Sequence, residues 1–120
     1  MSESIKSIIE WHEQTFPMAD LQGQLAKFDD ELAEYGESEC LEELADLFIV
    51  ACGIARFDNV SALVAFERVC EILKLWRVNY GKPVPLQMAI DNKMAVNRNR
   101  KWAVGKGNYQ HVSEGEENVE

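Results

Sequence analysis

The chain has 120 residues with 12 Lys+Arg against 21 Asp+Glu, a formal net charge of −9, which is one domain's worth of core and disfavours a nucleic-acid partner. Hydrophobic residues make up 47% and charged ones 28%, a folded rather than a disordered balance, and 3 prolines and 7 glycines argue against a turn-rich β-sandwich. The longest apolar run, Leu47 to Ile54, is far shorter than the ~20 residues a membrane span needs, so no membrane partner is expected. The acidic opening MSESIKSIIEWHEQ has no hydrophobic signal core. Cys40, Cys52 and Cys70 form no CxxC pair and read as reduced thiols of a cytoplasmic protein.

A short helix before Phe16 is expected to carry Ile5, Ile8, Ile9 and His12. After Phe16-Pro17, Asp20 is a natural N-cap, and Leu21, Leu25, Phe28, Leu32 and Tyr35 form one helical stripe that Gly36 would end. Ser38 is then placed to cap a helix running to about Phe57, apolar nearly all round from Leu47 to Ile54. Asp58-Asn59 breaks it. The next helix, about Val60 to Val78, carries Leu63, Val64, Phe66, Cys70, Leu73 and Trp76 and stops near Gly81. A Lys82-Pro83-Val84-Pro85 turn leads into a last helix, about Leu86 to Trp102. No segment alternates with period two for long enough to argue a strand. The reading is an all-α bundle of four to five helices: a single domain over residues 1–112, then a flexible acidic tail over 113–120, with little fixed order expected from Val104 onward. An all-round apolar helix in so short a chain calls for extra cover, hence a dimer or larger assembly.

Charge is divided along the chain. Residues 1–58 hold 3 basic and 14 acidic side chains, and residues 59–112 hold 9 and 3. Two acidic pairs stand out, Glu31 with Glu34 and Glu43 with Asp46, each three residues apart and so on one helical face. Asp46 shares a row with Ile49, Val50 and Gly53, a carboxylate opening a core-facing stripe, and Glu39, Glu43 and Asp46 read as one face. A tight turn at Gly36-Glu37-Ser38 would bring the two acidic ends together. One like-charge pair at 4 Å costs roughly 4 kcal/mol at an effective dielectric near 20. The cluster must therefore protonate, splay into water as a solvated acidic face, or hold a hard cation. Oxygen-only donors suit Mg²⁺ or Mn²⁺ rather than zinc. A di-iron bundle is set aside, because neither His12 nor His111 follows a Glu at the spacing Glu-x-x-His.

In the last helix, Lys93, Asn97 and Arg100 make one polar stripe with Arg98 and Lys101 beside it. That stripe is either a solvated turn offsetting the helix dipole or the cationic wall of a polyphosphate site. Trp102 either stacks on a base or closes the core. No glycine-rich phosphate loop is present.

With both pieces in hand, the chain resembles the all-α nucleoside triphosphate pyrophosphohydrolases, the MazG-like group. The pattern ExxE, spacer, ExxD falls on Glu31, Glu34, Glu43 and Asp46. The segment WHEQTFPMADLQGQLAKFDDELAE resembles the N-terminal signature of the dATP/dGTP diphosphohydrolase branch, and KMAVNRNRKW resembles its Lys-x-x-x-Asn-x-x-Arg-x-Trp segment at Lys93, Asn97, Arg100 and Trp102. The likeness spans about residues 8–112. The eight residues between Glu34 and Glu43 are a shorter spacer than that group's, which makes Glu39 a possible replacement ligand. The resemblance implies a Mg²⁺-dependent (Mn²⁺ also suitable) hydrolysis of a nucleoside triphosphate to monophosphate and pyrophosphate, by a homodimer or homotetramer. It implies Glu31, Glu34, Glu43 and Asp46 as metal ligands, Glu34 as the group that takes the water's proton, and Lys93 and Arg100 as catalytic cations. Lys27, Lys93, Asn97, Arg100 and Trp102 are the expected substrate-binding residues, with Phe16, Phe28 and Trp102 candidates for the base pocket. The alternative is a non-catalytic helical module of the same fold that binds nucleotide or protein.

Overall fold

The computed structural model describes residues 2–81, 83–104 and 109–112, with side chains as far as residue 102. Five helices make up most of it: α1 (Ile5–Thr15), α2 (Leu21–Ser38), α3 (Leu41–Ala55), α4 (Asn59–Tyr80) and α5 (Leu86–Asn99). Two short antiparallel strands, β1 (Lys101–Val104) and β2 (Tyr109–Val112), follow, with Trp102 opposite His111. The all-helical reading holds for the body. It misses this ribbon: α5 ends three residues short of Trp102, and backbone expected to be irregular pairs instead. A four-residue strand is too short for period-two patterning to be seen. The acidic tail, 113–120, lies outside the described residues.

Local chemistry sets most of the boundaries. The Asp20 side chain accepts from Gly23 N at 2.8 Å, as a cap should, and Ser4 and Ser7 make reciprocal caps at the start of α1. Asp58 ends nothing by itself; its carboxylate receives the Val60 and Ser61 amides and begins α4. The turn between α2 and α3 sits later than expected. α2 runs through Gly36 to Ser38, Glu39 takes the left-handed conformation (φ 48°) as its C-cap, and Cys40 rather than Ser38 occupies the N-cap of α3.

α3 packs against α1, α2, α4 and α5. Its all-round apolarity follows, because it feeds two cores. Leu44, Leu47, Val50, Ala51 and Ile54 meet Phe28 of α2 and Ala62, Ala65, Val69 and Ile72 of α4. Ala45, Ile49 and Cys52 meet Ile8 and Trp11 of α1 and Ile90 and Met94 of α5. One chain therefore covers α3, and its sequence is no argument for assembly. α4 is different. It buries its small residues Ala62 and Ala65, which let it approach α3 closely, and leaves Leu63, Val64 and Cys70 exposed, although the sequence stripe had them facing inward. The N-terminus is tied down to α5. Glu3 receives two hydrogen bonds from Arg98 (2.8 and 2.9 Å), and its backbone amide donates to Asp91 at 2.8 Å.

A side chain at φ 48° is strained where glycine is not. Glu39→Gly should therefore raise stability by about 0.5–1 kcal/mol in urea denaturation, the gain being reduced by the freer unfolded chain. A loss of stability would show that the Glu39 side chain contributes something that its exposed position does not reveal.

Candidate metal and anion site

The antiparallel α2–α3 pair brings three acids together. Ligand oxygens of Glu31, Glu43 and Asp46 lie within 4.8 Å of one another, and all three residues are half-buried. Buried carboxylate oxygens normally have partners, yet Oε2 of Glu31 and Oε2 of Glu43 have none. Glu34, one turn below Glu31, is exposed at the rim of the same cleft and outside the triad. Glu39 is exposed as the C-cap of α2 and takes no part, so the face expected for Glu39, Glu43 and Asp46 reduces to the last two, which alone lie on α3.

Burial first, then the Asp46 charge and the neighbouring Glu34, pushes the Glu31 carboxyl up to about 8. Burial also pushes Asp46 up to about 6, with Lys93 opposing and Glu43 adding to the rise. The Lys93 ammonium lies 3.4 Å from Asp46, both side chains about one-fifth exposed (22% and 19%). The basic stripe of α5 thus meets the acidic ends of α2 and α3, as the division of charge along the chain suggested.

The cleft over this junction encloses about 220 Å³. Lys27, Glu31, Glu34, Asp46, Lys93, Asn97 and Arg100 give it a charged and polar lining, and Trp11, Phe16, Ile49, Val50 and Trp102 an apolar one. Arg100 lies one residue beyond α5 and reaches Asn97 Oδ1 at 3.4 Å. Arg98, expected beside the stripe, turns to Glu3 instead. Lys101 lies on β1, also away from that lining. Trp102 Nε1 donates to the Asn97 carbonyl at 3.3 Å, and its ring meets the edge of Phe16 with centroids 5.0 Å apart. Phe28 does not belong here; it sits in the α2–α3–α4 core.

The sequence reading missed Trp11, His12 and Gln24. Trp11 and His12 lie just ahead of the Phe16-Pro17 break, and nothing in their spacing ties them to residues on other helices. A signal did exist for the polar pair: Gly53, on the Asp46 row, is a glycine inside a buried helix, which marks a close approach. Cys52 is buried and its thiol is pushed up to about 12 by burial, so it is no nucleophile.

The chain matches no protein-family model, no curated protein and no solved structure.

Because the folded state raises both carboxyl pKa values, it holds protons that the unfolded chain has already released. That stabilisation is complete below the ordinary carboxylate range and is lost as pH rises through about 6 and then about 8. The melting temperature of metal-free protein should therefore fall across this window, and Mg²⁺ or Mn²⁺ should restore it most strongly at its upper end. Asp46→Asn and Glu31→Gln should flatten the pH dependence and remove the response to metal. A melting temperature indifferent to pH and metal in the parent protein would show that the triad is not strained as described.

Proposed function

We propose that the protein is a divalent-metal-dependent nucleoside triphosphate pyrophosphohydrolase of the MazG-like kind, releasing a nucleoside monophosphate and pyrophosphate. One observation carries this reading: of a half-buried triad with two unpartnered carboxylate oxygens, Glu31 and Asp46 line one cleft together with the cations Lys93 and Arg100 and the rings of Trp11, Phe16 and Trp102. The donor set fits Mg²⁺ or Mn²⁺, being oxygen throughout with no histidine or thiol among the three. The cavity is smaller than the ~300–1,000 Å³ of a typical enclosed ligand pocket, which suits a base held inside while the polyphosphate lies along the open mouth. The ExxE and ExxD acids together with the Lys93–Asn97–Arg100 segment support cleavage between the α- and β-phosphates.

On this reading Glu31, Glu43 and Asp46 hold the metal, which when bound supplies Lewis-acid polarisation of the phosphates. Glu34, solvent-accessible and next to Glu31, takes a proton from the water that attacks the α-phosphorus. The bond to the bridging oxygen breaks, and the electron pair leaves with pyrophosphate. Lys93 and Arg100 neutralise that leaving charge, and Lys27 adds a third cation to the lining of the same cleft. Asn97, whose carboxamide holds Arg100, positions the guanidinium. Such a role suits a cytoplasmic enzyme that adjusts nucleotide pools.

The assembly proposed is a homodimer built on α4. At 100° per residue, Val60, Leu63, Val64, Leu75 and Val78 share one face, and all are more than half exposed. An antiparallel α4–α4 pairing centred between Cys70 and Glu71 sets Leu63 against Val78 of the second copy and Glu67 against Lys74. One apolar pair and one opposite-charge pair then share the same two-fold axis.

Pyrophosphate release from the eight common NTPs and dNTPs, with Mg²⁺ and with EDTA, tests the activity. Metal-dependent release is expected, with purine deoxynucleotides preferred if the branch resemblance holds. Glu43→Gln and Asp46→Asn should each lower turnover at least a hundredfold with helical content intact, and Lys93→Ala should lower it about tenfold or more. Nucleotide-dependent thermal stabilisation without product would instead identify a binding module. Leu63→Glu with Val78→Glu should convert a dimer to monomer in sedimentation; an unchanged sedimentation coefficient would remove the α4 interface.

A further inference from the structure

His12 and Gln24 are the most enclosed polar side chains of the cleft, 4% and 3% exposed, and the hydrolytic reading gives them no task. They are joined to each other and to Arg56. His12 Nε2 lies 3.1 Å from Gln24 Oε1, and His12 Nδ1 lies 3.1 Å from the Arg56 guanidinium. Arg56 is itself anchored, its NH1 donating to the Phe16 carbonyl at 2.8 Å.

These contacts leave no freedom in the direction of the hydrogen bonds. A guanidinium only donates, so His12 Nδ1 must accept. Burial pushes the His12 pKa down to about 4, with the Arg56 and Lys27 charges helping, so the ring is neutral and carries its single proton on Nε2. That proton is donated to Gln24 Oε1. Turning the Gln24 carboxamide over would set its NH₂ group against the Nε2–H, donor to donor, in a buried site. The carboxamide is therefore held with its oxygen on His12. Its Nε2 hydrogens point the other way, and no described group of the protein accepts them. α3 makes room for this pair. A Cβ on Gly53 would stand 2.7 Å from Gln24 Oε1 and 2.9 Å from His12 Nε2.

We propose that Arg56, His12 and Gln24 form a relay that fixes Gln24 as a hydrogen-bond donor to the cleft, and that this donor selects a nucleobase presenting a ring carbonyl there over one presenting an amino group. The inference rests on the nucleotide reading above and adds to it which face of the ligand is read. Gln24 would touch the ligand. His12 and Arg56 are positioning residues that act through it.

The test is calorimetric binding of α,β-methylene analogues of dGTP and dATP in Mg²⁺, beside kcat/KM for the parent nucleotides. The parent protein should favour the oxo base. Gln24→Met should weaken dGTP analogue binding about tenfold and leave the dATP analogue nearly unchanged. Gln24→Glu, which presents an acceptor, should shift the ratio further towards the amino base. Arg56→Met, which touches no ligand, should narrow the preference by freeing the His12 tautomer, and Arg56→Lys should restore it, since an ammonium also only donates. The kcat for a saturating nucleotide should move little in the two Arg56 variants, since Arg56 lies outside the cleft lining. Equal losses for both bases, or an unchanged ranking with turnover intact, would overturn the relay alone. Absence of nucleotide binding and turnover in the parent protein would overturn the relay and the proposed function together.

Discussion

Three carboxylates with ligand oxygens within 4.8 Å cannot all be charged and half-buried without help, and the rest of the molecule is arranged around that difficulty. Like charges this close cost several kcal/mol per pair at an effective dielectric near 20. Lys93 offsets one of them at 3.4 Å, and protonation relieves another, with Glu31 pushed up to about 8. The Oε2 atoms of Glu31 and Glu43 still have no hydrogen-bond partner among the described residues. The fold keeps an electrostatic defect that water or an apolar replacement would have removed more cheaply. A divalent cation held between these oxygens would relieve that strain.

The defect persists because α3 is held from all sides. Apolar residues on opposite faces of this helix belong to two different cores, so it cannot rotate to swing Asp46 into water without exposing Leu47 and Ile49. The α2–α3 turn fixes Glu31 against Glu43 in the same way: Glu39 accepts a left-handed backbone so that the chain reverses within a few residues.

Much of this was legible in the residues themselves. The alternating fours and threes of Leu21, Leu25, Phe28, Leu32 and Tyr35 gave α2, although Leu25 ends exposed at the edge of that stripe, the Asp20 and Asp58 carboxylates lay where caps belong, and the Asp46 row announced a half-buried carboxylate. What escaped had physical causes. Helix ends shifted because Gly36 tolerates a helix interior and Glu39 tolerates the turn. α4 turned its alanines inward, since close approach to α3 outweighed the larger transfer energy of Leu63 and Val64. The short ribbon carries too few residues to show a period, and its pairing depends on contacts that local patterning does not encode. Trp11, His12 and Gln24 come from two helices whose mutual placement is a tertiary fact, and the one trace of it in the Asp46 row was Gly53, which marks a close approach without naming what approaches.

Gly53 is what links the two ends of the cleft. Asp46 and Gly53 are seven residues apart on α3, two turns and about 10 Å along one row. At one end of that row a carboxylate is forced toward other carboxylates. At the other, the missing side chain lets the His12–Gln24 pair settle against bare backbone, where a Cβ would stand only 2.7 Å from Gln24 Oε1. Ile49 and Val50 line the stretch between them with apolar surface. A ligand lying along this row would meet charge, then hydrocarbon, then a single oriented donor, the order in which a nucleotide presents phosphate, sugar and base edge. One rigid helix would therefore set both the register of the chemistry and the face of the base that is read. A substitution at Gly53 should disturb recognition while leaving the acidic end in place.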